Sequence, residues 1–309
     1  MKSFLSNSII ALAFSALLLA SCATKAPSTA EPVAAPAPVE SPAATPAVAP
    51  VVEKEKVEKQ RTIVTKVPVL VKEASFYADG LPDEYIVYRM DDAKRNLLEK
   101  DIFDASRPAP VQKLLSEYKD GLLIAEALYE SDGKLRSRRE LGYDAGGHLV
   151  QERTLDVRGK VQSSSAYSYD SAGQKTEWQA LDGSGAVKAT TSYSYSGDGL
   201  VGMVMKDAGG KLTGTIKLEY LNGKLAKRSY IGASGALQKF EALVYEGDSL
   251  SIVEYHRADG SLASKTAYSY DTMGALEKTA EFDASGKAGV YSTYKYIVRE
   301  DSSIETYYE

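Results

Sequence analysis

Cysteine is almost missing from this 309-residue chain. Cys22 is the only one, which leaves no internal disulfide and no cysteine-built metal site. Histidine is nearly as scarce, with His148 in a turn and His256 at a strand-end place that Leu155, Leu181, Ile231 and Phe282 fill elsewhere. Neither stands in a recognisable spacing with a nucleophile and an orienting group, so no enzyme is expected. Ser163–Ser165 lack a nucleophile elbow. The Gly183/Gly185 and Gly197/Gly199 pairs lack the strand–helix setting of a phosphate loop. The Asp-rich turns lack the alternating acids and closing Glu of a calcium loop, and turn formation accounts for them. No metal or cofactor is expected. Positive charge is in short supply: 37 Lys and Arg against 42 Asp and Glu give a net charge of −5 and a pI near 5.4. With no basic face, nucleic acid is not an expected partner. Proline stops at Pro110, which suits central strands that cannot lose a ladder donor. Phe (6) and Trp (1) are rare beside 21 Tyr, a residue suited to half-buried strand surfaces.

What fills the chain is a repeat. From residue 118 onward a Gly is followed at +2 by an apolar residue and at +10 by a Tyr, with Tyr or Leu often at +8. The glycines are 133, 159, 185, 210, 235, 260 and 286, spaced 25 or 26 apart, and the matching tyrosines run from Tyr143 to Tyr296. So constant a period marks a repeat architecture. Each period carries two turns, one after the Tyr and one before the next strand. That leaves two strands of about eight residues, arranged as an antiparallel meander. Strand alternation puts positions +2, +4, +6, +8 and +10 on one face, as in Leu262/Ser264/Thr266/Tyr268/Tyr270. The result is an aliphatic stripe and a tyrosine stripe, with a polar face such as Lys188/Thr190/Ser192/Ser194 opposite. Trp178 falls on the opposite parity. So wide a sheet curls, and the expected fold is all-β: a long, twisted, curled sheet of 25–26-residue repeats, as a partial spiral or barrel, with its closure left open. A transmembrane barrel is not expected, because the strands are short and the buried-face pattern holds Arg139, Lys239 and Glu241. Residues 76–117 read as degenerate copies capping the regular copies at 118–296, within a repeat domain over 76–309. A short helix over 93–100 or 111–118 is the alternative there.

The first 22 residues read as an export signal: Lys2, then an apolar run from Ile9 to Ala20 too short to span a bilayer. Its end, Leu19-Ala20-Ser21-Cys22, resembles the lipobox of bacterial lipoproteins. The resemblance implies cleavage before Cys22, a diacylglycerol on its sulfur and an acylated amino group. Two or three acyl chains hold a protein stably on a membrane. Ala23, by the sorting rules of enteric-type bacteria, implies the outer membrane, at its periplasmic face or the cell surface. Residues 23–52 hold seven of the eleven prolines and read as a disordered, semi-stiff tether. Residues 53–75 pair a charged run with a β-branched stretch whose Pro68 confines it to an edge strand.

Tyr-Ser-Tyr-Asp-Ser-Ala-Gly at 167–173 and Tyr-Ser-Tyr-Asp-Thr-Met-Gly-Ala-Leu at 268–276 resemble the YD, or RHS, repeat. That resemblance implies a curled antiparallel sheet, without the autoproteolytic core of true shells. Hairpin repeats of the YwqK or MORN kind are a weaker resemblance. Tyr167, Tyr169, Tyr193, Tyr195, Tyr268, Tyr270, Tyr294 and Tyr296 form the candidate stripe. It reads either as a packing ladder or as an aromatic platform for glycan, peptidoglycan or protein. The expectation is an envelope lipoprotein presenting a binding or adhesion sheet, or a structural or assembly accessory with no ligand site of its own.

Overall fold

The computed structural model describes residues 58–308, all strand, turn and loop. The expected signal, Cys22, the 23–52 tether and the start of the charged run lie outside the described residues. Eighteen strands follow in order: β1 (Glu58–Phe76), β2 (Pro82–Met90), β3 (Leu97–Asp104), β4 (Gln112–Lys119), β5 (Leu122–Glu130), β6 (Leu135–Tyr143), β7 (Leu149–Leu155), β8 (Val161–Tyr169) and β9 (Lys175–Asp182). They continue as β10 (Val187–Ser196), β11 (Gly199–Asp207), β12 (Leu212–Leu221), β13 (Lys224–Gly232), β14 (Leu237–Glu246), β15 (Ser249–Arg257), β16 (Leu262–Tyr270), β17 (Leu276–Asp283) and β18 (Ala288–Tyr308). Residues 93–100 and 111–118, where a helix was the alternative, enter β3 and β4 and continue the meander.

Two kinds of hairpin build the meander. In the Asp-x-x-Gly turns, such as Asp182–Gly185, the Gly185 amide donates to the Asp182 carbonyl and the Asp182 amide to that of Ala186, each at 2.9 Å. The Asp182 Oδ1 accepts from the amides of Ser184 (2.9 Å) and Ala186 (3.1 Å). Gly185 takes a φ of 85°, where a side chain is strained, so this is the three-residue loop with a glycine bulge. Asp144, Asp156, Asp170, Asp207, Asp271 and Asp283 open turns of the same kind. Tyr77, Glu130, Gly232 and Arg257 open loops with the same backbone bonds, and the second kind is the two-residue hairpin, such as Asn222-Gly223 with both φ angles positive.

Each strand pairs antiparallel with the next, and β18 returns to pair with β1 over its whole length, from Glu58↔Tyr308 to Phe76↔Tyr291. The curled meander therefore closes into an 18-stranded barrel. The segment expected as an edge strand is its closing strand, with β2 on its other side from Lys72 to Phe76. Pro68 sits in the part of β1 that has only one neighbour, where a missing amide costs no ladder bond. There, residues 58–70 and 296–308 pair only with each other. They form a two-stranded ribbon reaching about 40 Å at about 3.3 Å per residue. It leaves the rim that carries the +10 tyrosines, and its root leans on the β2–β3 turn. Arg299 donates to the Lys94 carbonyl at 2.9 Å, and Arg95 pairs with Asp301 at 2.6 Å.

Bulges change the expected faces. In each regular even-numbered strand the register slips just after the turn before it: Leu181 pairs with Val187 but Ala180 with Ala189. The same slip occurs in β6, β8, β12, β14, β16 and β18. One extra residue reverses side-chain parity. The +2 aliphatic residues therefore lie on the face opposite positions +4 to +10, and the two stripes expected on one face are on two. A slip between Lys175 and Glu177 likewise brings Trp178 opposite Tyr167, onto the tyrosine face.

Handedness says which face is inside. Crossing strands at right angles, the ladder runs Val87, Asp101, Lys113, Tyr129, descending away from the tyrosine rim. In a barrel with the usual right-handed strand twist, strand number then rises to the right, seen from outside with that rim up. On an upward strand an L-residue whose amide points right turns its side chain outward. Leu221 pairs across its turn with Lys224, so it faces outward, and it is 66% exposed; Tyr220 faces inward. The tyrosine face lines the lumen. Apolar burial among the described residues is limited to Val69, Ala125, Ala127, Val253 and Ala275, so the lumen is not filled as a core. At about 4.8 Å per strand and a tilt of about 40°, the wall is about 36 Å across, in the range that leaves an aqueous channel.

Candidate functional site

The eight candidate tyrosines all face the lumen and are half-buried. They divide into two sets. At the rim, five of the +10 hydroxyls donate to a carbonyl twenty residues earlier: Tyr143 to Leu123 (2.8 Å), Tyr169 to Leu149 (2.9 Å), Tyr220 to Leu200 (2.9 Å), Tyr245 to Leu225 (3.1 Å) and Tyr270 to Leu250 (2.9 Å). Each such carbonyl lies two residues beyond the last rung between its strand and the next, as Leu250 does beyond Ile252↔Ala267. The strands part there, and the tyrosine takes the place of the missing rung. His148 reinforces one position: its ring stacks on Tyr169 at 5.0 Å and its Nδ1 meets Asp144 at 3.1 Å. Tyr169 and Tyr270 are thus committed to the wall itself.

Tyr167, Tyr193, Tyr268 and Tyr294, at +8, lie one layer deeper. Among the described residues no two of the eight stack on each other, so they do not form a face-to-face ladder. Tyr167 pairs across with Trp178, and Tyr193 lies one strand beyond, on β10. The Lys175 amine lies 4.6 Å from the Tyr167 ring centre and 5.9 Å from that of Tyr193. Burial pushes the Tyr167 hydroxyl up to about 12, with Glu152 adding to the shift, and lowers the Lys175 ammonium. Six to nine strands away around the ring, Tyr268 and Tyr294 share a second aromatic wall with Tyr255 and Tyr88. Burial pushes Tyr268 up to about 12, and burial with Glu73 raises Tyr88, whose hydroxyl donates to Glu73 at 3.2 Å.

Ion pairs occupy the walls between. Arg139 lies 2.6 Å from Glu126 and 3.7 Å from Glu152. Glu241 takes Arg228 at 2.8 Å and the Tyr230 hydroxyl at 2.7 Å. The outer wall is charged too, with Arg138 between Glu117 and Glu140 and Arg153 on Glu140 at 2.8 Å. A lipid-facing band pays about 2–4 kcal/mol for each Arg or Lys at mid-depth, so neither face is built to meet hydrocarbon. His256 belongs to the outer wall. It stacks on Phe240 at 4.6 Å and meets Glu254 and the Gly260 carbonyl, a structural placement like that of the aliphatic residues at the same position. Trp178, Lys175, Tyr88, Tyr230 and Tyr255 were not anticipated in the lumen. They sit on strands outside the Gly-to-Tyr frame, and only the cross-strand register reveals them.

No family model and no curated protein matches the chain. Solved structures with a similar course include a porin-like protein from Bacteroides uniformis, 13% identical with a TM-score of 0.42 over 74% of this chain and 98% of that one. A porin-like protein from Bacteroides vulgatus is 10% identical, with a TM-score of 0.30 over the same shares. A TcdB2-TccC3-TEV structure is 12% identical, with a TM-score of 0.25 over 72% of this chain and 16% of that one. Likenesses this loose carry no argument about function.

Proposed function

We propose that the chain is an exported envelope lipoprotein, anchored through Cys22, that presents its hollow barrel as a binding module. The observation that carries this reading is the set of +8 tyrosines: half-exposed rings on a concave wall, with hydroxyls not spent on the backbone. Rigid amphipathic rings of this kind make contact area at low entropic cost. The Cys22→Ser protein is expected to leave the membrane fraction, and retention there rejects the anchor. A bound ligand is expected to alter the emission of Trp178, the chain's one tryptophan, which stands in the same wall. A second reading, an assembly accessory with no ligand of its own, draws on the ribbon. Its Val64 and Ile304 are 53% and 70% exposed, and its outer edges are unpaired. Protease treatment of intact cells separates the readings in part: a barrel protected until lysis argues against surface adhesion.

A further inference from the structure

Resting on the binding-module reading, we infer that the wall formed by Tyr167, Trp178 and Tyr193 is a subsite for a neutral polysaccharide chain. The three rings stand on the adjoining strands β8, β9 and β10 and face the lumen half-exposed. A sugar ring offers a flat patch of C–H bonds to such a face while its hydroxyls point sideways, and the polarised C–H edges suit the negative face of an aromatic ring. Groups to receive those hydroxyls bracket the rings. The Lys175 amine lies between Tyr167 and Tyr193, and Glu152 lies close enough to Tyr167 to raise its hydroxyl's pKa.

Below the rings, toward the far rim, the same face carries only short side chains: Ser163 and Ser165 on β8, Ala180 on β9, Ala189 and Thr191 on β10. Large rings above and small residues below make a shallow trough that runs along the strands. Its charges are paired, Glu152 with Arg139 at 3.7 Å and Asp182 with Lys188 at 2.8 Å, beside the Lys175 amine. A nucleic acid or an acidic polymer would need a net positive wall, and a cationic peptide a net negative one. An amphipathic helix would need a broad aliphatic groove, and below the rings only Ala180 and Ala189 on β9 and β10 are apolar. A neutral polyhydroxyl chain fits the ring faces, the hydrogen-bonding groups and the paired charges together.

The full chain, released by Cys22→Ser, is titrated with cellohexaose, chitohexaose and a cationic and an anionic hexapeptide, and Trp178 emission is followed. A saturable change with a hexaose and none with either peptide is expected. Tyr167→Ala and Tyr193→Ala are each expected to weaken it about ten-fold, the equivalent of one lost stacking contact. Leu221→Ala, on the outer face and 66% exposed, leaves it unchanged, and thermal melts confirm that each variant is folded. A response to a peptide and to neither hexaose overturns the carbohydrate assignment while the binding-module reading stands. A hexaose response that survives both alanine variants overturns the site. Silence of Trp178 toward all four probes overturns the subsite and removes the support for a lumen ligand.

Discussion

Replacing Tyr270 by Phe keeps the ring and removes one hydroxyl, which isolates the rim bond from packing. The bond is 2.9 Å long and ends on the Leu250 carbonyl, two residues past the last β15–β16 rung. A net hydrogen bond of this kind is worth about 1 kcal/mol, and an orphaned carbonyl costs about 1–3 kcal/mol when water is excluded. The site is at a rim and half-exposed, so water replaces part of the loss and about 1 kcal/mol is expected. Tyr169, Tyr220 and Tyr270 stand four strands apart, about 19 Å, and share no partners, so their effects add to about 3 kcal/mol. In a domain of this size that lowers Tm by about 2–4 °C for each replacement. Tyr268→Phe, two residues away with no carbonyl on its hydroxyl, is the control and should change stability by less than about 0.5 kcal/mol. Urea melts followed by far-ultraviolet circular dichroism measure all four proteins. Equal losses for Tyr270→Phe and Tyr268→Phe, or a triple variant within about 0.5 kcal/mol of the parent, would refute the replacement of the rung by the hydroxyl.

Raising pH tests the lumen tyrosines. Burial favours their neutral form, so the stability they contribute is intact below about pH 10 and is lost as pH climbs toward 12, the level to which Tyr167 and Tyr268 are pushed. Tyrosinate absorbance should show a late-titrating class coupled to unfolding, and a single class near the exposed value contradicts the burial. Gly183→Ala should destabilise by about 1–3 kcal/mol, since the added Cβ would lie 2.4 Å from the Val161 carbonyl, although Ala208 and Ala284 fill the same place in sister turns. A normal melting temperature for that variant refutes the close approach. With Cys22 changed to Ser, Val64→Cys and Ser302→Cys should join under air oxidation, because those positions pair in register across the β1–β18 seam. Free thiols in the folded protein would show the ribbon unpaired.

The repeat period made the strands and turns readable. Asp, Asn and Gly leave few alternatives where a chain reverses, and the tyrosines mark each period. Three things were not readable. The closing contact joins β1 to β18, far apart in sequence, and no local pattern in Thr62–Val71 distinguishes a closing strand from an edge strand. The faces were misassigned because the bulge after each turn inserts a residue that a simple alternation count treats as paired; Leu262 and Tyr268 therefore landed on the same side on paper and on opposite sides in the barrel. The eight tyrosines looked equivalent because the carbonyl that separates Tyr270 from Tyr268 belongs to another strand. Trp178 was lost for the same reason as Leu262, a single slip of register.

Closure between β1 and β18 sets a timetable. During synthesis or export, β2 to β17 can each pair with the strand just made, but β1 waits, with only a short hairpin contact to β2, until β18 exists. Until then the assembling sheet has two open edges, the kind of surface that recruits strands from other molecules. The contact that removes both edges spans the longest sequence separation in the barrel and is the slowest to find. A chain that emerges β1 first therefore passes most of its assembly as a sticky intermediate. Whatever shields that stage decides how much of the protein reaches the closed state.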